Sequence, residues 1–167
     1  MKYGEIVHGK LHRRVNRFIA EVFIHGKKEA AHIKNTGRLT ELLQPDADVR
    51  LEVNDNPNRK TKYSLIAVCK NDIWVNIDSQ APNTVVFEAI TAGKVKELGM
   101  VNTVKREVLF VVQMKGCSTF APNKEMDKTF TEALLKAVEQ GVQILAYDAI
   151  VKVDELVLGD PLPVVLS

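Results

Sequence analysis

The sequence predicts an α+β fold, with a β-rich unit over residues 1–80 and a smaller α/β unit over residues 81–167. Two observations carry this reading. Short strands with period-two alternation crowd the first eighty residues, and after Ala81-Pro82-Asn83 the pattern changes to helix, strand, helix, strand. With 167 residues, 46% of them hydrophobic and 26% charged, the chain can bury a real core and is not of disordered composition.

In the first unit, alternation begins at Ile6-Val7-His8-Gly9-Lys10-Leu11 and resumes at Phe18-Ile19-Ala20-Glu21-Val22-Phe23-Ile24, where one face is apolar. His25-Gly26-Lys27 reads as a hairpin turn into Ala30-Ala31-His32-Ile33. Asn35 or Thr36 then caps a short helical piece, Leu39-Thr40-Glu41-Leu42-Leu43, stopped by Pro45. Three further strands follow, at residues 49–53, 62–68 and 73–77, joined by turns at 54–58 and 70–72. Five or six short strands around one helical turn is the element list of an OB-type barrel, with a β-sandwich fragment as the alternative.

In the second unit, Asn83 is expected to cap a helix burying Val86, Ala89 and Ile90, weakened at Gly93 and ended at Gly99. A β-prone run covers residues 103–113. Asp127 caps an amphipathic helix with Phe130, Leu134 and Val138 on its core stripe, Glu132 and Lys136 paired at i,i+4, and Gly141 as stop. Residues 142–147 and 150–158 read as two buried strands.

Charge is uneven. Residues 1–40 hold nine Lys or Arg against three acids, while the whole chain is only +2. A basic end on a near-neutral protein points to a surface that faces a polyanion. The turn Asn35-Thr36-Gly37-Arg38 fits it, because these residue types let backbone amides face outward beside a cation, although a plain turn and helix cap is the competing reading. The candidate phosphate-binding residues are Arg13, Arg14, Arg17, Lys27, Lys28, Lys34, Asn35, Thr36, Arg38, Arg59, Lys60 and Lys62. Phe18, Phe23, Tyr63 and Trp74 are candidates for base stacking, with most expected in the core.

Other chemistries find little support. His8 and His12 lie on a strand, more than about ten ångströms apart, which does not suit shared metal ligation. Cys69 and Cys117 show no ligand spacing, and Cys117 has no histidine base near it in sequence, so both are expected as reduced structural thiols. Apolar runs such as Val108–Val112 are far too short to span a bilayer, and the amino-terminal residues show no apolar leader. A cytoplasmic protein without cofactor, metal or membrane partner is expected.

The motifs resemble the sugar fermentation stimulation protein (SfsA) family. They are Arg17-Phe18-Ile19-Ala20, His32 through Arg38, Arg59-Lys60 with Tyr63, Trp74-Val75, Pro82-Asn83 before Glu88-Ala89-Ile90, Leu109 through Gln113, Phe120-Ala121-Pro122 and Gly141 through Tyr147. Their order is right and they cover nearly all of the chain. The resemblance implies an OB-like DNA-binding domain followed by a domain of PD-(D/E)XK nuclease type. It also implies a departure between Val108 and Leu109, where the family carries a strand ending in Asp, a Glu-x-Lys strand and a helix. This sequence contains no acid-x-Lys triplet at all. Glu88 matches an acidic position of the family, but one carboxylate is a vestige of a metal site.

The expectation is therefore a non-enzymatic DNA-binding protein of low sequence specificity, with its second domain truncated. A metal-dependent nuclease and a non-functional remnant are the alternatives. Loss of central strands should expose strand edges, a route to a homodimer or to partial melting of the second domain.

Overall fold

The computed structural model of the protein describes residues 1–95, 97 and 106–166. Its first half is a closed barrel. Strands β1 (Ile6–Arg14), β2 (Ile19–Ile24), β3 (Lys27–Ile33), β4 (Asp48–Val53) and β5 (Tyr63–Lys70) pair antiparallel in the order β3-β2-β1-β4-β5. A short parallel ladder, Ala31–Ile33 against Tyr63–Leu65, joins β3 to β5 and closes the circle. This is the OB arrangement, and the sandwich alternative falls with it. β6 (Ile73–Asn76) then pairs with the later part of β5, from Ala67 to Lys70.

Alternation along the strands fills the barrel. Leu11, Val22, Ile33, Val49, Leu51, Leu65 and Val68 all point inward and are fully buried, with Leu43 closing one end. The first part of β1 pairs with β4 and the last part with β2, and Gly9 sits just before the change of partner at Lys10. A Cβ there would lie 2.7 Å from the Phe23 carbonyl oxygen and 3.3 Å from Leu51 Cδ1.

Two details of the barrel differ from the sequence expectation. Residues 39–43 form hydrogen-bonded turns rather than a helical piece, because Leu39 adopts a left-handed φ of 49° that a helix does not accept. Neither Asn35 nor Thr36 caps a helix. Instead Asn35 Oδ1 accepts from the Gly37 amide at 2.8 Å, a local Asx turn.

The second unit holds α1 (Ala81–Thr91), β7 (Glu107–Val112), α2 (Lys128–Glu139), β8 (Gln143–Val151) and β9 (Leu156–Pro161). β7 runs parallel to β8 and β8 antiparallel to β9, giving the sheet order β7-β8-β9. Among the described residues β7 pairs on one edge only.

Here the expected boundaries shift. α1 starts at Ala81, not after Asn83, since the Asp78 carboxylate organises the preceding turn by accepting from the Gln80 amide and Pro82 fits the first helical turn. Its buried stripe is therefore Ala81, Val85 and Ala89, which turns Ile90 outward and leaves Phe87 69% exposed. The expected helix stop at Gly99 and the start of the β-prone run at 103–105 lie outside the described residues. The expected strand at 150–158 is a hairpin, since the Lys152 amide donates to the Glu155 carbonyl and its ammonium reaches the Glu155 carboxylate.

On α2, Asp127 caps as expected, accepting from the Phe130 amide at 2.8 Å. Its stripe is only partly covered: Leu134 is buried, whereas Phe130 meets Phe110 edge-on and Val138 stays exposed. The ion pair on this helix is Lys128–Glu132 at 3.8 Å rather than the expected Glu132–Lys136.

The two units are tied by polar side chains. Arg50 of β4 is buried, lies 3.7 Å over the Trp74 ring and donates to the Lys152 carbonyl at the β8–β9 turn. The Asn76 amide donates to the Gln113 carbonyl, and the Asn76 side chain donates to Tyr3 Oη. Met1 and Tyr3 pack with the second core, and the Met1 ammonium pairs with Glu88. Among the described residues no helix is long and apolar enough to cross a membrane.

Gly9→Ala is expected to cost about 1–3 kcal/mol, because the new methyl meets backbone on one side and core on the other. Urea unfolding checks it; an unchanged midpoint would show that the strand tolerates a side chain there.

Candidate nucleic-acid interface

Barrel closure gathers three connections at one end. In the closing ladder His32 stands opposite Ser64, and on its other side it stands opposite Ile19. The β1–β2 turn (15–18), the segment after β3 (34–38) and the β4–β5 loop (54–62) therefore all begin or end near His32. Most of the sequence-predicted basic residues lie on these three segments.

Arg14 joins the first two. Its guanidinium donates to five main-chain carbonyls: Asn16 at 3.1 Å, Arg17 and Gly37 at 2.8 Å, Asn35 at 3.4 Å, and Arg38. Arginine suits this role because its fixed fork of donors can satisfy several carbonyls at once. The structure thus places Arg14 beneath the Asn-Thr-Gly-Arg turn as its anchor. Asn35 also points inward, donating from Nδ2 to the Ile77 carbonyl at 3.0 Å.

Lys34 is likewise engaged. It is 16% exposed and pairs with Glu52 at 3.3 Å and with the buried Asp78 at 3.2 Å. Arg13 bonds Glu21 at 2.7 Å, an interaction that holds the Glu21 carboxyl below the usual carboxylate range and raises the Arg13 guanidinium. Lys28 lies 3.9 Å from the same Glu21. Arg59 donates to Asn54, and Lys62 sits 5.6 Å from the Tyr63 ring centre.

Arg17, Thr36, Arg38, Lys27 and Lys60 are exposed. Among the described residues none of the four cations of this set has an ion-pair partner. The sequence-predicted group thus divides into anchors, paired charges and open cations, with Arg17 and Arg38 brought together through the Arg14 clamp.

Burial holds the His32 imidazole below the ordinary histidine range, and the charges of Arg59 and Lys34 push the same way against the opposing Asp78. His32 Nδ1 is buried without a hydrogen-bond partner.

Of the four candidate rings, most of them expected in the core, two are open. Phe18 is 50% exposed, because the β1–β2 turn ends just before the ladder begins at Ile19. Phe23 is also open, packing edge-on against His12 at 5.2 Å. Hydrophobicity alone gives no signal for a ring left in water. A turn residue between Arg17 and a strand start was the available hint.

Comparison with known proteins agrees with this architecture. The family model described as the SfsA N-terminal OB domain matches residues 13–77, and the one described as the sugar fermentation stimulation protein RE domain matches residues 107–155. The sugar fermentation stimulation protein homolog of Alkaliphilus oremlandii is 39% identical over 227 aligned positions, covering 96% of this chain and 97% of the relative. That of Clostridium novyi is 34% identical over 229 positions, covering 99% and 100%. Both alignments are longer than the chain itself, so these relatives carry residues without counterpart here. Pyrococcus furiosus SfsA, solved in complex with Ca2+, superposes with a TM-score of 0.87 over 99% of this chain and 98% of that one, at 21% identity, a likeness of fold.

The depressed His32 sets a pH dependence. The unfolded chain takes up its proton first, near the ordinary value of about 6.5, so the stability contribution is whole above that pH and is lost as pH falls through it towards the folded value. Thermal unfolding followed from pH 7 downwards should show this loss, and His32→Gln should flatten the slope. Parallel profiles for the two proteins would assign the pH dependence elsewhere.

Proposed function

The chain belongs to the sugar fermentation stimulation protein family, and from that premise and the barrel-end geometry we propose that it binds DNA through phosphate contacts, with low sequence specificity and without cleaving it. The observation that carries the reading is the Arg14 clamp. One guanidinium holds two loops together by their carbonyls, and the loops so held present the exposed, unpaired Arg17 and Arg38. Cations carried on loops ordered in advance cost no loop ordering on meeting a phosphate backbone, whose recognition is mainly electrostatic. Lys60 and Arg59 on the β4–β5 loop extend the same face, where OB barrels contact nucleic acid.

The Pyrococcus relative was solved with Ca2+, and nucleases of this fold type use hard divalent ions. The described carboxylates do not fit such an ion. Among the described residues no group of three His, Cys, Asp or Glu side chains could hold one. Glu88 meets the Met1 ammonium, and Asp148 and Asp160 share the Lys115 ammonium at 2.9 and 2.7 Å. The proposed activity runs through the cations of the barrel.

The test is a DNA titration across salt concentrations. Affinity should fall steeply with salt without need of divalent metal. Arg17→Glu or Arg38→Glu should weaken binding at least tenfold and flatten the salt slope by roughly one per lost phosphate contact. Arg13→Glu, whose partner is Glu21, should do less. Equal affinity in all these proteins would sink the reading. Mg2+- or Mn2+-dependent cleavage that Glu88→Ala abolishes would overturn its non-catalytic part.

A further inference from the structure

Phe18 has a combination of properties that phosphate binding does not use. Its ring is 50% exposed, yet its backbone is held from both sides. The Phe18 amide donates to Asn16 Oδ1 at 2.8 Å, and its carbonyl accepts from the Ile33 amide at 2.7 Å. It follows Arg17, whose carbonyl belongs to the Arg14 clamp, so it is next in the chain to an open cation on a fixed piece of backbone. The other candidate aromatics are occupied: Trp74 lies under Arg50, Tyr63 lies by Lys62, and Phe23 packs on His12. Among the described residues no ring or cation covers Phe18.

We propose that Phe18 is a stacking platform for an unpaired base, so that the barrel end prefers single-stranded nucleic acid over duplex. This rests on the phosphate-binding reading above and adds the form of the ligand. A duplex presents stacked bases shielded by two backbones, and it has no free base face to offer a lone ring. A single strand offers one at every residue, and stacking on an aromatic side chain accepts any base. The same feature accounts for low sequence specificity, since a ring reads a π-face and not a hydrogen-bonding edge. Arg17 and Arg38 then track the backbone while Phe18 takes a base.

The experiment uses the full chain and fluorescein-labelled thymidine oligonucleotides of about 12 residues, an equally long abasic strand and a duplex of matching sequence, followed by anisotropy. The thymidine strand should bind more tightly than both the abasic strand and the duplex. Phe18→Ala should weaken the thymidine strand roughly tenfold, within the range for loss of one stacked base, and leave the abasic strand unchanged. Phe18→Trp should restore binding, and Phe87→Ala, which removes a still more exposed ring on α1, should change nothing.

Unchanged thymidine affinity in Phe18→Ala, or an equal loss on the abasic strand, would overturn the stacking role. So would a wild-type protein that prefers duplex. These results leave the phosphate-binding reading standing if Arg38→Glu still weakens every ligand. Failure of all strands to bind would sink both.

Discussion

The three-residue parallel ladder between β3 and β5 is the constraint on which the rest of the barrel end depends. It is short, and parallel pairing is slightly weaker per residue than antiparallel pairing. Its value lies in closure: joining two strands that would otherwise be edges removes exposed backbone and fixes the ends of three connections at once. Without it the segment after β3 and the β4–β5 loop would lie on opposite sides of an open sheet. His32 occupies the middle of this ladder with cations around it, so the closing point is also where positive charge is concentrated. Charge crowded around this point works against the stability that closure brings.

Asp78 manages part of that tension. It is almost completely buried, and a buried carboxylate is tolerated only when its oxygens are satisfied. Here the Lys34 ammonium and the Gln80 amide do this, and Asn76 in turn bonds the Asp78 amide. The network lies where the barrel hands over to α1. It converts a lysine of the basic end into a structural cation, and it sets the helix start. Removing Lys34 would leave the Asp78 carboxylate buried without a counter-charge, whereas removing Asp78 would leave Lys34 its Glu52 partner.

Much of the fold was legible because barrel strands announce themselves by alternation. Leu11, Val22, Leu51 and Leu65 lie at inward positions that period two alone assigns. The family motifs gave the OB topology. What the sequence concealed was geometry set by single backbone or side-chain events. The left-handed φ at Leu39 broke an expected helical piece, and Asp78, rather than Asn83, set the beginning of α1. The basic set was legible as a set but not in its division of labour. Whether an arginine meets carbonyls, as Arg14 does, or a carboxylate, as Arg13 does, depends on chain segments more than twenty residues away in one case and a cross-strand neighbour in the other.

The stacking of Arg50 on Trp74 has a spectroscopic consequence. Trp74 is the one tryptophan of the chain, and the cation above it is anchored by its other end to the Lys152 carbonyl of the second unit. The indole therefore reports on a single event, the seating of the second unit against the barrel. Were the two to part, the guanidinium would lose its anchor, the ring would meet water, and its emission would move to longer wavelength while the barrel stayed folded. The molecule carries its own optical gauge of domain contact, with no added label.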